Sequence, residues 1–205
     1  DHNKERFELE FNLEKGTSFN TFLIRNHEEL FIIHPPEKQY FNSFKKVISS
    51  FSNQFKLDKI SFITGHINPQ IIETIKNIST QFKDTTITCS NPGYKLISEL
   101  WNQRNPNLKD FVEIQLPKIN IVKKELNLEL GNISLELIPI PTARWPGGLI
   151  IYERNQEILL SEKIFSSHIA FENWSEKNRV STEIDRKHFY LSLIHISEPT
   201  RRPII

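Results

Sequence analysis

At 205 residues, 11% of them aromatic and 15 of them Phe, the chain is long and apolar enough for one domain with a sizeable core. A formal net charge of +1, with no dense window of Lys and Arg, excludes a nucleic-acid-binding stripe. The single cysteine, Cys89, excludes an internal disulfide and a cysteine-based zinc site, and no apolar run is long enough to span a bilayer as a helix. A cytoplasmic protein without membrane insertion is the expectation.

Arg6 to Leu13 alternates Phe7, Leu9, Phe11 and Leu13 with polar residues, the period of a half-buried strand, and Gly16-Thr17-Ser18 makes the turn after it. Phe19 to Ile24 and Leu30 to Ile33 read as two further strands in a hairpin around Arg25-Asn26-His27-Glu28. Pro35-Pro36 stops the third strand. Phe41, Phe44, Val47, Ile48 and Phe51 then recur at helical spacing. Lys59 to Thr64 is a short buried strand. Asn68-Pro69 opens a helix with a capping side chain and a proline at the first helical position, and Ile71, Ile72, Ile75, Ile78 and Phe82 form its stripe. Thr85 to Cys89 is strand-like, and Asn91-Pro92 repeats the helix opening ahead of Leu96, Ile97, Leu100 and Trp101. Asn102 to Leu108 is a polar loop.

Four strands follow, at Asn120 to Leu126, Ile133 to Ile138, Leu149 to Tyr152 and Glu157 to Ser161. Gly131-Asn132, the stretch Pro139 to Gly148 and Asn155-Gln156 separate them. Prolines 139, 141 and 146 and the pair Gly147-Gly148 make the middle connection a stiff turn that displays Arg144 and Trp145. Strands, then strand–helix alternation, then strands again predict two mixed sheets face to face with helices outside, a four-layer αββα sandwich with no internal boundary. The charged, helix-like Glu183 to Tyr190 gives way at Leu191 to a run that matches neither its periodicity nor any turn chemistry. That run resembles a translated sequencing adapter. The expectation is one C-terminally truncated domain over residues 1–190, a non-native tail over 191–205 and, with no Met in the sequence, a start that is not an initiator.

Several ordered segments carry a resemblance. Thr17 to Ile24 is similar to the opening hairpin, and Ile60 to His66 to the strand and ligand loop, of the metallo-β-lactamase-like domain of flavodiiron proteins, more narrowly the cyanobacterial, photosynthesis-associated members. Thr88-Cys89-Ser90 and the helix after it resemble the next unit. Pro139 to Pro146 resembles the family's Pro-x-Pro-x-x-His-Trp-Pro, and Leu160 to His168 its Asp-containing loop. The family's His-x-Glu-x-Asp-His stands here as His66-Ile67-Asn68-Pro69-Gln70-Ile71. Arg144 occupies the place of the next histidine and Lys163 that of the bridging aspartate. The last histidine of the set falls within the adapter-like tail.

Two close metal cations need imidazoles and carboxylates, so His66 with Asn68, Gln70, Ile71, Arg144 and Lys163 is expected to bind no di-iron. Two organic cations in a former ligand site are costly unless paired. Arg144, Lys163 and His66 are therefore expected to meet Glu162, another local acid or a bound anion. The plainer readings are a solvated Arg144 and Lys163, a hydrogen-bonded loop His66, a packing Trp145 and a helix start at Asn68. His34, His168 and Glu172 have ligand chemistry without convincing spacing, and Cys89 has no base beside it.

The resemblance implies a whole protein that reduces oxygen with electrons from NAD(P)H through flavin. FMN, and FAD with NAD(P)H, would lie in domains downstream, and the protein would associate with a homologous flavodiiron subunit. This domain would be the metal-free partner. Alternatives are a non-catalytic anion-binding or scaffold module and, least favoured, a hydrolase of the same fold, for which the groups that activate a metal-bound water are missing.

Overall fold

The computed structural model describes residues 19–82, 84–102, 114–142 and 145–164. The chain divides into two compact units, one of Asn20–Glu162 and one of Asp1–Phe19 with Lys163–Ile205. The second contributes Phe19, Lys163 and Ile164 to the described residues. The expected strand at Arg6 to Leu13, the polar loop after Asn102, Arg144, His168, Glu172, the helix-like Glu183 to Tyr190 and the tail lie outside them.

In the unit Asn20–Glu162, strands β1 (Phe22–Asn26), β2 (Glu29–Ile33), β3 (Lys59–Ile63), β4 (Asp84–Ser90) and β5 (Lys118–Val122) form one sheet in that order. β1 and β2 are the predicted antiparallel hairpin, turning over His27 at φ 53° and Glu28. The other pairings are parallel. Their register aligns Ile32, Phe62, Ile87 and Ile119 in one row across the sheet. That face is covered by helices α1 (Phe41–Gln54), α2 (Pro69–Ser79) and α3 (Asn91–Trp101), whose Phe44, Ile48, Ile72, Ile75, Ile97 and Trp101 are buried against it.

The opposite face presents Phe31, Ile33, Ile63 and Val122 to a second, antiparallel sheet of β6 (Leu126–Leu130), β7 (Ile133–Pro139), β8 (Leu149–Glu153) and β9 (Ile158–Leu160). Leu135, Leu137, Leu149 and Ile151 fill the space between the sheets and are at most 1% exposed. Burial alternates along β7 and β8, with Leu135, Leu137, Leu149 and Ile151 turned inward, since a strand puts successive side chains on opposite faces. The described residues build three layers of the expected sandwich, helices on sheet on sheet.

Three local expectations are corrected. The strand read as Asn120 to Leu126 is two strands in different sheets: the chain leaves the first at Val122, bends through the charged Lys123-Lys124-Glu125 and enters the second at Leu126. No Gly or Pro marks that bend. Val47 is 44% exposed, because the buried stripe of α1 centres on Phe44 and Ile48 and leaves position 47 at its margin. The cap of α3 is Ser90, not Asn91: the Ser90 hydroxyl accepts from Gly93 N–H at 3.2 Å, so Asn91 is already helical. At α2 the expectation holds, with the Asn68 side chain accepting from Ile71 N–H at 2.9 Å ahead of Pro69.

Candidate functional site

β2, β3 and β4 run parallel and end side by side at Ile33, Ile63 and Ser90. Segments leaving the carboxyl ends of parallel strands are where α/β sheets gather ligands, because backbone polar groups there are not yet committed to a ladder. Here those segments begin with His34, with Thr64-Gly65-His66, and with the capped start of α3.

The loop Pro139 to Gly148 is seated on these ends by specific bonds. Ile140 N–H donates to Gly148 O at 2.9 Å, Trp145 N–H to Thr142 Oγ1 at 3.0 Å, and Gly148 N–H to Trp145 O at 3.0 Å, which closes the loop on itself. Ser90 Oγ, besides capping α3, donates to Gly147 O at 2.9 Å. A Cβ at Gly147 would lie 2.9 Å from Gly65 O, and one at Gly65 would lie 2.4 Å from Leu149 N. The two glycines are what lets the loop approach the end of β3 this closely.

Beneath it lies a buried polar network. His34, Glu37 and His66 are each 6–7% exposed. Asn68 Nδ2 stands 3.2 Å from both Glu37 Oε1 and His66 Nε2, and Gln39 Nε2 donates to Glu37 Oε2 at 3.1 Å. Glu162, just past β9, brings its Oε1 to 3.0 Å from His66 N–H and 3.5 Å from His34 Nδ1. His34 and Glu162 hold φ at 55° and 54°. For side chains other than glycine that left-handed backbone costs about 1 kcal/mol each, and strain of this kind collects at functional sites.

Burial pushes the His34 imidazole down to about 4, opposed in part by the backbone of Leu160. Glu162 Oε1, at 3.5 Å, would by itself favour a charged ring, but desolvation of a nearly enclosed imidazole is the larger effect, and His34 is neutral at neutral pH. Neither of its ring nitrogens makes a hydrogen bond of normal geometry among the described residues.

The residues expected at this site divide. His66 and Asn68 lie within hydrogen-bond distance of each other, a pairing the sequence reading did not name, and Asn68 is the helix start that it did name. Gln70 is exposed on the first turn of α2, and Ile71 is buried in the helix-facing core. Arg144 lies outside the described residues. Lys163 belongs to the other unit, where its Nζ stands 4.8 Å from the centre of the Phe19 ring. Glu162 was foreseen as a neutralising acid; Glu37 was missed, and His34 was set aside. The signal for both was a polar residue on either side of Pro35-Pro36, at the end of a fully buried strand.

These donors do not fit a dinuclear metal as arranged. Asn68 spends its carbonyl on the α2 cap and turns its NH₂ toward His66 Nε2, the atom a metal would need. Ile71 has no donor and is held in the core. Among the described residues no three His, Cys, Asp or Glu side chains gather as a metal site.

Cys89 is not a nucleophile in waiting. It is 0% exposed and burial pushes its thiol up to about 12. A thiol reagent is expected to modify it only at the rate of unfolding; fast labelling of the folded chain would refute this.

The model of the ODP family beta lactamase matches residues 17–197. Diflavin flavoprotein A 5 of Nostoc sp. strain PCC 7120 is 31% identical over 189 residues, covering 92% of this chain and 31% of that protein. Among solved structures, the metal-soaked Flv1 flavodiiron core from Synechocystis sp. PCC6803 superposes with a TM-score of 0.74 at 26% identity, over 93% of this chain and 44% of that one. A fragment of diflavin flavoprotein A 5 from Nostoc sp. PCC 7120 gives 0.73 at 28% identity, over 95% and 71%. The present chain thus spans under a third of the length of that flavoprotein.

Proposed function

Given that this chain belongs to the ODP family of β-lactamase domains, we propose that it is the ligand-degenerate, di-iron-type domain of a flavodiiron oxidoreductase and serves as a metal-free partner subunit. The observation that carries this reading is the commitment of Asn68 and Ile71. One is locked between the α2 cap, Glu37 and His66, and the other is buried in the core, so two positions of the ligand motif have been turned over to structure.

In this reading the complete protein passes electrons from NAD(P)H through flavin to oxygen in the cytoplasm. FMN, FAD and NAD(P)H are held by parts of the protein beyond this chain, as the names and lengths of the diflavin relatives support. Residues 1–190 act as one domain and 191–205 play no part. A homologous subunit with a complete ligand set supplies the metal chemistry, and this domain supplies the surface against which it docks. No described helix is long and apolar enough to cross a membrane.

Co-expression of the full-length gene with a ligand-complete relative tests the proposal. Mixed oligomers that consume oxygen with NAD(P)H are expected. Recovery of only homo-oligomers, each fully active alone, would overturn it. The second reading, an anion-binding or scaffold module, is favoured by one feature, the buried donors grouped around the Glu162 carboxylate.

A further inference from the structure

The Glu162 carboxylate reaches from the end of β9, in one sheet, to the ends of β2 and β3, in the other. The place it occupies is shaped for a carboxylate. One oxygen, Oε1, accepts His66 N–H at 3.0 Å and faces His34 Nδ1 at 3.5 Å. The other, Oε2, would stand 3.0 Å from a Cβ at position 65, so the bare Gly65 leaves room for it. His34 is almost fully enclosed, the backbone of Leu160 lies against its ring, and its Nδ1 stands 3.5 Å from this same oxygen without a hydrogen bond of normal geometry. An enclosed ring nitrogen this near the oxygen belongs to a site that favours an acceptor there.

We infer that Glu162 is a tethered anion in a small-carboxylate seat made by His66 N–H, the His34 ring and the gap at Gly65, and that a free monocarboxylate fills the seat once Glu162 is truncated. The inference rests on the metal-free reading above, and it decides between that reading's open choices: at this seat the anion is the chain's own. The intact chain then takes up no free carboxylate there, because a tethered group competes at a high effective concentration.

The test is thermal unfolding of the whole chain and of Glu162→Ala, with tens of millimolar formate or acetate against chloride at matched ionic strength. Glu162→Ala is expected to melt lower, to regain at least half of the lost Tm in formate with a saturating dose dependence, and to regain nothing in chloride. Wild type is expected not to respond, and His34→Ala added to Glu162→Ala is expected to abolish the rescue. If Glu162→Ala does not fold in chloride, its refolding yield in formate is measured instead, and no recovery of yield overturns the inference. Equal rescue by chloride overturns it as well. Metal analysis of the wild-type preparation separates the two levels: bound iron overturns the metal-free reading and this inference with it, whereas iron-free protein without formate rescue overturns the tethered anion alone.

Discussion

Replacing Gly65 by alanine is expected to destabilise the unit Asn20–Glu162 by about 3 kcal/mol, near the upper end for overpacking of a close-packed interior. The added Cβ would meet Leu149 N at 2.4 Å and Glu162 Oε2 at 3.0 Å. The first contact is with backbone that is fixed in place, because Leu149 opens β8 and pairs with Pro139 of β7, so it cannot swing aside as a side-chain tip would. Relief requires the Pro139–Gly148 loop to lift off the end of β3, which also strains the Ser90–Gly147 bond. Urea unfolding reads this as a lower midpoint at unchanged slope. A loss below about 1 kcal/mol would mean that the loop is not seated on Gly65 as described.

The second large effect is a pH dependence centred on His34. Its imidazole titrates near 4 in the folded chain against an ordinary 6.5. Below 6.5 the unfolded chain takes up a proton that the folded chain refuses, so this residue's contribution to stability is whole above 6.5, declines as pH falls and is gone at about 4. The difference between the two values corresponds to about 3 kcal/mol. Replacing His34 by Gln removes the ionisation, so the stability difference between wild type and His34→Gln should shift by about that amount between neutral pH and pH 4. Parallel pH profiles for the two proteins would show that the ring is not enclosed, or that Glu162 holds it charged.

Much of the fold was legible because the chain states it locally. Pro69, next to its capping Asn68, fixes where α2 begins, Pro92 marks the first turn of α3 two residues after its capping Ser90, and the isoleucines of α2 fall on the buried face that their spacing requires. The hairpin at His27-Glu28 and the parallel units after it follow from burial patterns of strand length. The passage from β5 to β6 was not legible, because a bend made of lysines and a glutamate looks the same in sequence as an exposed stretch of strand. The site was legible in part. His66 and Asn68 could be placed together because the motif is contiguous, and the cap explains why an amide stands at 68. The partnership of His34 with Glu162 joins residues far apart in the chain and depends on two left-handed backbones that no spacing rule foresees. Gly65 is informative only once Leu149 and Glu162 are known to lie against it.

The central claim of the proposal is that His66 and Asn68 stand in a polar network that needs no metal. Metal analysis of the full-length protein purified from iron-replete cells, with anomalous scattering at the iron edge on its crystals, tests it most directly. The account predicts no iron at His66 and only trace iron per chain. Two irons per chain, with density beside His66 Nε2 where Asn68 now stands, would contradict it.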